Sequence, residues 1–153
     1  MPVLLRKIDT TILQQEPGWQ TDLHKIYSEA EPERRCLKEV PLEVEPFIAQ
    51  ALSLEGRWFA GALFNDHLIG AALVSPVRED EWQVRHLCVR AVTRRRGVAS
   101  RLMALIAAQA QQQGVVLVVP DAGLSLADQV LVGRLGCQRC PERQGFVFHS
   151  TEA

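Results

Sequence analysis

Hydrophobic and polar positions along this chain follow two rhythms, and the places where one gives way to the other predict its elements. Residues 3–8, Val3-Leu4-Leu5-Arg6-Lys7-Ile8, read as a first strand. Over residues 20–27, Leu23, Ile26 and Tyr27 fall at helical spacing. Residues 28–46 are rich in Glu and Pro, with breakers at Pro32, Pro41 and Pro46. They read as a solvated excursion with short helical turns, not as a domain linker. Residues 47–54 return to helical spacing, with Phe47, Ile48, Ala51, Leu52 and Leu54 on one broad face. Two strand-like runs follow, 58–64 and 68–75, joined by Asn65-Asp66-His67 in the manner of a hairpin. A third run covers 82–89.

The clearest helix spans 97–113, where Val98, Leu102, Leu105, Ile106 and Gln109 trace one face and Gly114 provides the stop. Val115-Val116-Leu117-Val118-Val119 has the continuous apolar character of a buried strand. Residues 125–135 read as a helix with Ser125 as N-cap and Gly136 at its end. A last strand covers 145–149. The order is β-α-α-β-β-β-α-β-α-β. A hairpin in the middle of such a series makes the sheet mixed, so the fold class is α+β.

The 153 residues suit one domain over 1–153. With 47% hydrophobic residues, 23% charged residues and a formal net charge of −1, the chain is neither disordered nor polybasic. No apolar stretch reaches the roughly 18 residues of a membrane span. The first residues lack the order of a signal peptide, so the expected location is cytoplasmic. Four cysteines, Cys36, Cys88, Cys137 and Cys140, read as reduced thiols. The spacing Cys137-x-x-Cys140 fits half of a zinc knuckle, but no second ligand pair stands at a companion spacing, so no metal is assigned.

Candidate chemistry concentrates where the third strand-like run meets the clearest helix. The turn is Arg94-Arg95-Arg96-Gly97-Val98-Ala99. Backbone N–H groups at a helix start lack intrahelical acceptors and point toward incoming anions, and the macrodipole adds partial positive charge. Gly97 permits close approach, Ala99 keeps the next turn small, and the arginines offer charge-assisted donors. A diphosphate suits that combination. Two plainer readings compete, a solvated basic surface and a nucleic-acid patch. The slightly acidic balance and the lack of aromatic residues among the arginines weaken the second. Neither a Walker spacing nor G-x-G-x-x-G is present.

The register from Leu87-Cys88-Val89 to Arg94-Arg95-Arg96-Gly97-Val98-Ala99 resembles the acetyl-CoA segment of GNAT N-acetyltransferases, which carry [Q/R]-x-x-G-x-[G/A] after a strand of the form L-x-V. Leu135-Gly136-Cys137 resembles the L-G-F closing that family's last helix. The resemblance covers about residues 3–149 and implies a GNAT fold, with a central mixed sheet flanked by helices. It further implies acetyl-CoA (or CoA) as cofactor. The backbone of Leu87, Cys88 and Val89 would pair with the pantetheine arm. The N–H groups of Arg94, Arg95, Arg96, Gly97, Val98 and Ala99 would hold the pyrophosphate, with a hydroxyl from Ser100.

The family's acid is a Tyr four residues before the L-G-F glycine, and that position is Val132 here. The only tyrosine is Tyr27, in the first predicted helix. The family's base is a Glu on the strand before the loop. This strand offers Gln83, Arg85 and His86, with Glu81 only at its start. His86 reads either as a base or as a structural histidine or partner contact, so no catalytic residue is assigned. Cys88 alternates with core-facing Leu87 and Val89, which directs it toward the acyl chain, but nothing lowers its pKa.

Finer motifs resemble the PanZ (PanM) branch of GNAT proteins. They are Asp22-Leu23-His24-Lys25-Ile26-Tyr27, Phe64-Asn65, the run from Val89 to Val98, and Asp121-Ala122-Gly123. Members of that branch bind acetyl-CoA and then the precursor of aspartate 1-decarboxylase, promote its self-cleavage to the pyruvoyl form, and restrain the mature enzyme when coenzyme A species are plentiful, which places pantothenate synthesis under CoA-dependent control. The resemblance implies aspartate 1-decarboxylase as partner and Asn65 as a partner contact, against the plainer reading of Asn65 as a turn residue. The chain departs from the branch in extra sequence between Tyr27 and Trp58 and in the tail bearing Cys137 and Cys140. A working N-acetyltransferase acting on a small-molecule or protein amine is the alternative.

Overall fold

In a computed structural model of the protein, the alternating runs become a seven-stranded sheet and the helical runs cover its two faces. The structure describes residues 3–29, 44–94, 96–121, 124 and 126–148, with the backbone alone for 44 and 45. The N-cap expected at Ser125, the Ala122-Gly123 part of the Asp-Ala-Gly turn, Arg95, Cys36, His149 and most of the Glu/Pro-rich excursion lie outside the described residues.

The strands are β1 (Leu4–Ile8), β2 (Trp58–Phe64), β3 (His67–Arg78), β4 (Glu81–Val89), β5 (Val116–Pro120), β6 (Gln138–Cys140) and β7 (Gly145–Phe148). The helices are α1 (Thr10–Gln15), α2 (Pro17–Ser28), α3 (Val44–Ser53), α4 (Val98–Gln112) and α5 (Leu126–Arg134). The sheet order is β1-β2-β3-β4-β5-β7-β6. Every neighbouring pair is antiparallel except β4–β5, which is parallel with α4 as the crossover. A mixed sheet flanked by helices is the architecture expected from the sequence pattern.

Two elements escape the hydrophobic rhythm. α1 is a six-residue helix capped by Asp9, whose carboxylate accepts the Ile12 N–H at 2.9 Å. It buries only Leu13, too little to register as a periodic face. β6 has three residues and exists by pairing with β7. α2 also begins earlier than residue 20, with Pro17 at the first helical position, where its missing N–H leaves no acceptor unpaired.

The two faces carry separate cores. Val98, Leu102, Met103, Ile106 and Ala110 of α4, with Val132 of α5, pack on Trp58, Ala72, Val74, Val84 and Leu87. Met103 and Ala110 thus replace the expected Leu105 and Gln109, which are half-buried. On the other face α1, α2 and α3 bring Leu13, Leu23, Ile26, Tyr27 and Phe47 against Phe59, Leu68, Leu73 and Cys88.

Alternation in β4 changes phase at His86. Trp82 and Val84 face α4, and without interruption residues 86 and 88 would follow. Instead Leu73 pairs with Arg85 and Ala71 with Cys88, so two residues of β4, His86 and Leu87, oppose Ala72 alone. His86 takes the left-handed conformation at φ 58°. This bulge brings Leu87 onto the α4 face and sends Cys88 to the other. The Cys88 side chain therefore packs among α2 residues, not toward the cleft beside α4 as its place next to Leu87 and Val89 suggests.

Candidate functional site

Beyond the bulge the sheet opens. β5 follows β4 only over Glu81↔Val116, Trp82↔Leu117 and Gln83↔Val118. From Val84 onward, among the described residues, no strand pairs with the β5-facing edge of β4, while its other edge stays paired with β3 through Val89. The result is a V-shaped cleft lined by Val84, His86 and Leu87 from β4, Met103 from α4, Val119 from β5, and Leu124, Asp128 and Val132 from beyond β5. Leu87 thus lies in an unpaired stretch, and Cys88 and Val89 continue its backbone toward the loop. An extended chain of alternating amide and methylene groups has the right form to complete that edge.

The cleft leads to the basic turn. After β4 the chain makes a short 3-10 turn (Ala91–Thr93) and enters α4 through Gly97. Gly97 adopts φ +79°, a left-handed conformation natural to glycine, and an added Cβ there would meet nothing within 4 Å. Gly70 of β3 gives the helix room to approach, since a Cβ there would stand 3.1 Å from Val89 and 3.3 Å from Val98.

The structure narrows the set of amides that an anion could use. The N–H of Arg94 donates to Ala91 O and that of Arg96 to Thr93 O, both at 3.3 Å, so these two serve the turn itself. The N–H group of Gly97 at the N-cap and those of Val98, Ala99 and Ser100 in the first turn of α4 stand where helix geometry provides no intrahelical acceptor. The Arg94 guanidinium is drawn back to the carbonyl of Glu29, whereas Arg96 is exposed. Ser100 is exposed at the same helix start.

Two residues at the end of α2 brace the site, and neither belongs to the loop motif. The Tyr27 hydroxyl donates to the His86 carbonyl at 2.8 Å, holding the bulge from behind. Glu29 accepts from Arg90 Nε at 3.0 Å and from the Ala91 N–H at 2.8 Å. Partial burial alone would raise the carboxyl pKa of Glu29. The Arg90 hydrogen bond, the Ala91 N–H, and the charges of Arg90 and Arg94 outweigh it and hold the pKa below the ordinary carboxylate value. The sequence signal for Glu29 is weak, because it is 61 residues from Arg90.

The other chemically interesting residues separate clearly. The His86 ring packs edge-on against Phe47, 4.9 Å between centroids, on the α3 side of the sheet. Glu81 sits at the closed end of the β4–β5 pair and is engaged by Arg143. Val132 is buried and lines the cleft, so the place where the resemblance expects an acid holds an isopropyl group. Asp128, one helical turn earlier on the same face, is a buried carboxyl in that cleft. The i−4 spacing from Val132 is the signal by which the sequence could have revealed it. Burial pushes the Cys137 thiol up to about 12. Among the described residues, no group of three His, Cys, Asp or Glu is placed to hold a metal ion.

Asn65 lies apart from the cleft, at the exposed tip of the β2–β3 hairpin. Asn65 and Asp66 both have positive φ, 50° and 66°, as a tight two-residue hairpin turn requires. The tip is tied to α2, with Asp22 accepting the Leu68 N–H at 3.0 Å and Trp19 Nε1 donating to Asp66 O at 3.3 Å. A separate cavity of about 660 Å³ lies between α1, α2 and α3 and shares no residue with the cleft.

A parallel strand pair splayed by a bulge, leading into a glycine-bearing helix start, defines the acyltransferase architecture of the GNAT class. The chain belongs to the family described as "Acetyltransferase (GNAT) domain, PanZ", whose model matches residues 8–135. A comparison with curated protein sequences finds no match. Among solved structures it is similar to the ribosomal-protein-S18-alanine N-acetyltransferase from Escherichia coli, at 16% identity and a TM-score of 0.68, covering 95% of this chain and 90% of that one. It is also similar to a GNAT family acetyltransferase from Elizabethkingia anophelis with acetyl-CoA bound, at 14% identity and a TM-score of 0.64, covering 90% and 77%. The aminoglycoside 6'-N-acetyltransferase from Enterococcus faecium is a more distant likeness, at 15% identity and a TM-score of 0.57. The match covers 76% of this chain but only 59% of that enzyme. These likenesses establish the fold. Among the described residues, no helix is long and apolar enough to cross a membrane.

Proposed function

We propose that the protein binds acetyl-CoA (or CoA) in the β4–β5 cleft and, so loaded, docks on aspartate 1-decarboxylase and promotes its self-cleavage to the pyruvoyl enzyme. CoA-dependent control of pantothenate synthesis follows from that role. Pantetheine lies along the open edge of β4, and the diphosphate rests on the amides of Val98, Ala99 and Ser100, with Arg96 beside it. Asn65, displayed on a rigid hairpin tip, is a partner contact.

The observation that carries this reading is the open β4 edge leading to the glycine-bearing start of α4, with the buried Val132 at the place where the resemblance expects an acid. Family membership over residues 8–135 supports it. The test is affinity capture of the decarboxylase precursor with and without acetyl-CoA, together with the rate of precursor cleavage. Capture strengthened by acetyl-CoA, with faster cleavage, is the expected result. A precursor that matures equally fast without the protein refutes the regulatory role.

Asp128 favours a second reading, a working N-acetyltransferase. Its buried carboxyl lines the cleft in which a thioester and an amine would meet, the place where acetyl transfer needs an acid or a base. This reading requires steady thiol release from acetyl-CoA with some amine of a broad panel, and its loss in Asp128→Ala while acetyl-CoA still binds. No release above background across the panel removes this reading.

A further inference from the structure

The last turn of α2 touches the cofactor site at two points, and the second has a direct chemical consequence. Glu29 is the C-cap residue of α2, its own N–H donating to Lys25 O and Tyr27 O. Its carboxylate reaches across to the other side of the site, taking Arg90 Nε on both oxygens at 3.0 and 3.1 Å and the Ala91 N–H at 2.8 Å. Its carbonyl accepts the Arg94 guanidinium. The 3-10 turn that opens the loop has no side-chain cap of its own, so Glu29 caps it from a distant part of the chain. Arg90, meanwhile, donates its backbone N–H to Ile69 O at 2.8 Å and is fixed to β3.

We infer that Glu29 is the positioning residue of the anion-binding loop, holding it in the ligand-ready shape and leaving its outer face to a diphosphate. This inference rests on the acyl-CoA reading and adds to it the residue that presets the site. The opposite role for a carboxylate near arginines would be competition with the phosphates. The geometry argues against it. The carboxylate binds at the entry of the loop, on Arg90 and Ala91, well before the amides that open α4 at Val98. Only the carbonyl meets Arg94, and the exposed Arg96 makes no contact with Glu29. A loop held by charge-assisted bonds forfeits less conformational freedom when the ligand arrives.

The experiment measures acetyl-CoA affinity by calorimetry for the wild type, Glu29→Ala and Glu29→Gln, well below their unfolding temperatures, alongside hydrogen exchange of the Ala91 amide. Glu29→Ala should bind about tenfold more weakly and lose Ala91 protection, since a hydrogen bond to a charged group is of that order. Glu29→Gln keeps an acceptor for Ala91 but loses the charge, so it should fall between the two and retain protection. Leu13→Ala, destabilised in the core from α1 and not from the helix that carries Glu29, should bind as the wild type does, which separates positioning from general loss of stability. Glu29→Ala binding as tightly as the wild type, or more tightly, overturns the inference. If Glu29→Ala does not fold, unchanged affinity in Glu29→Gln does so instead. If the wild type itself fails to bind acetyl-CoA, the acyl-CoA reading falls as well, which distinguishes the two failures.

Discussion

Tyr27 is fully buried, and its hydroxyl is committed to the carbonyl of His86. A bulge exposes a carbonyl that regular pairing would satisfy, and this phenol supplies a donor from the helix behind the strand. Removing the hydroxyl while leaving the ring isolates that bond. Tyr27→Phe should destabilise the fold by about 1–2 kcal/mol, read from denaturant unfolding, and should weaken acetyl-CoA binding several-fold. Unchanged unfolding and unchanged affinity together would show that the bulge stands without it. Cys137 gives a second prediction of the same grain. With its thiol pushed up to about 12, very little thiolate exists at pH 8, and alkylation follows the thiolate. Iodoacetamide should therefore label Cys137 slowly in the folded protein and rapidly in denaturant, as mass spectrometry of the peptides would show. Prompt labelling of the native protein would contradict its burial.

At the scale of elements, what the sequence reveals depends on how each element earns its place. α4 and the central strands bury long apolar faces, so their periodicity is plain. α1 and β6 bury almost nothing and are held by a cap and by an edge pairing. The bulge at His86 is invisible to alternation because Leu87-Cys88-Val89 is apolar on every residue, and a phase change leaves no mark in a uniformly apolar run. The contact between Glu29 and Arg90 is likewise unreadable, since only the folded sheet brings residues 61 apart together.

Two predictions belong to this scale. Gly145 lets β7 close on β5, and a Cβ there would stand 2.5 Å from the Val119 carbonyl oxygen. The atoms it would meet, on Val119 and Pro120, are all backbone, so strand separation is the only relief, and Gly145→Ala should cost about 1–3 kcal/mol or more of stability. The α2–loop contact is titratable. The Glu29 pKa is lowered on folding, so its contribution to stability is present above the ordinary carboxylate range. It is lost as the pH falls through the folded value. The melting temperature of the wild type should therefore drop more steeply below pH 5 than that of Glu29→Gln. Parallel curves would show that the carboxylate carries no net stabilisation.

Across the whole molecule, the sheet carries two independent cores, and the cleft forms where the sheet stops being continuous between them. The α4 and α5 side provides the walls, while the α2 side fixes the bulge and the loop from behind. Fold class and the loop were readable from the chain because each is written in a local pattern. The opening between β4 and β5 was not, since it depends on where parallel pairing ends, after Gln83↔Val118. A ligand that completes the β4 edge and satisfies the α4 amides binds only the folded state, so it must raise stability by mass action. At acetyl-CoA about a hundredfold above its dissociation constant the gain is about 2.7 kcal/mol. For a chain of this length that corresponds to a rise in melting temperature of about 5–11 °C. Free pantetheine, which lacks the diphosphate, should give only a small part of that rise, and inorganic pyrophosphate alone another small part. Gly97→Val, which strains the left-handed helix entry at φ +79°, should blunt the response to acetyl-CoA more than the response to pantetheine. If acetyl-CoA and pantetheine shift the wild type equally, the diphosphate does not rest on the start of α4, and the basic turn is a solvated surface.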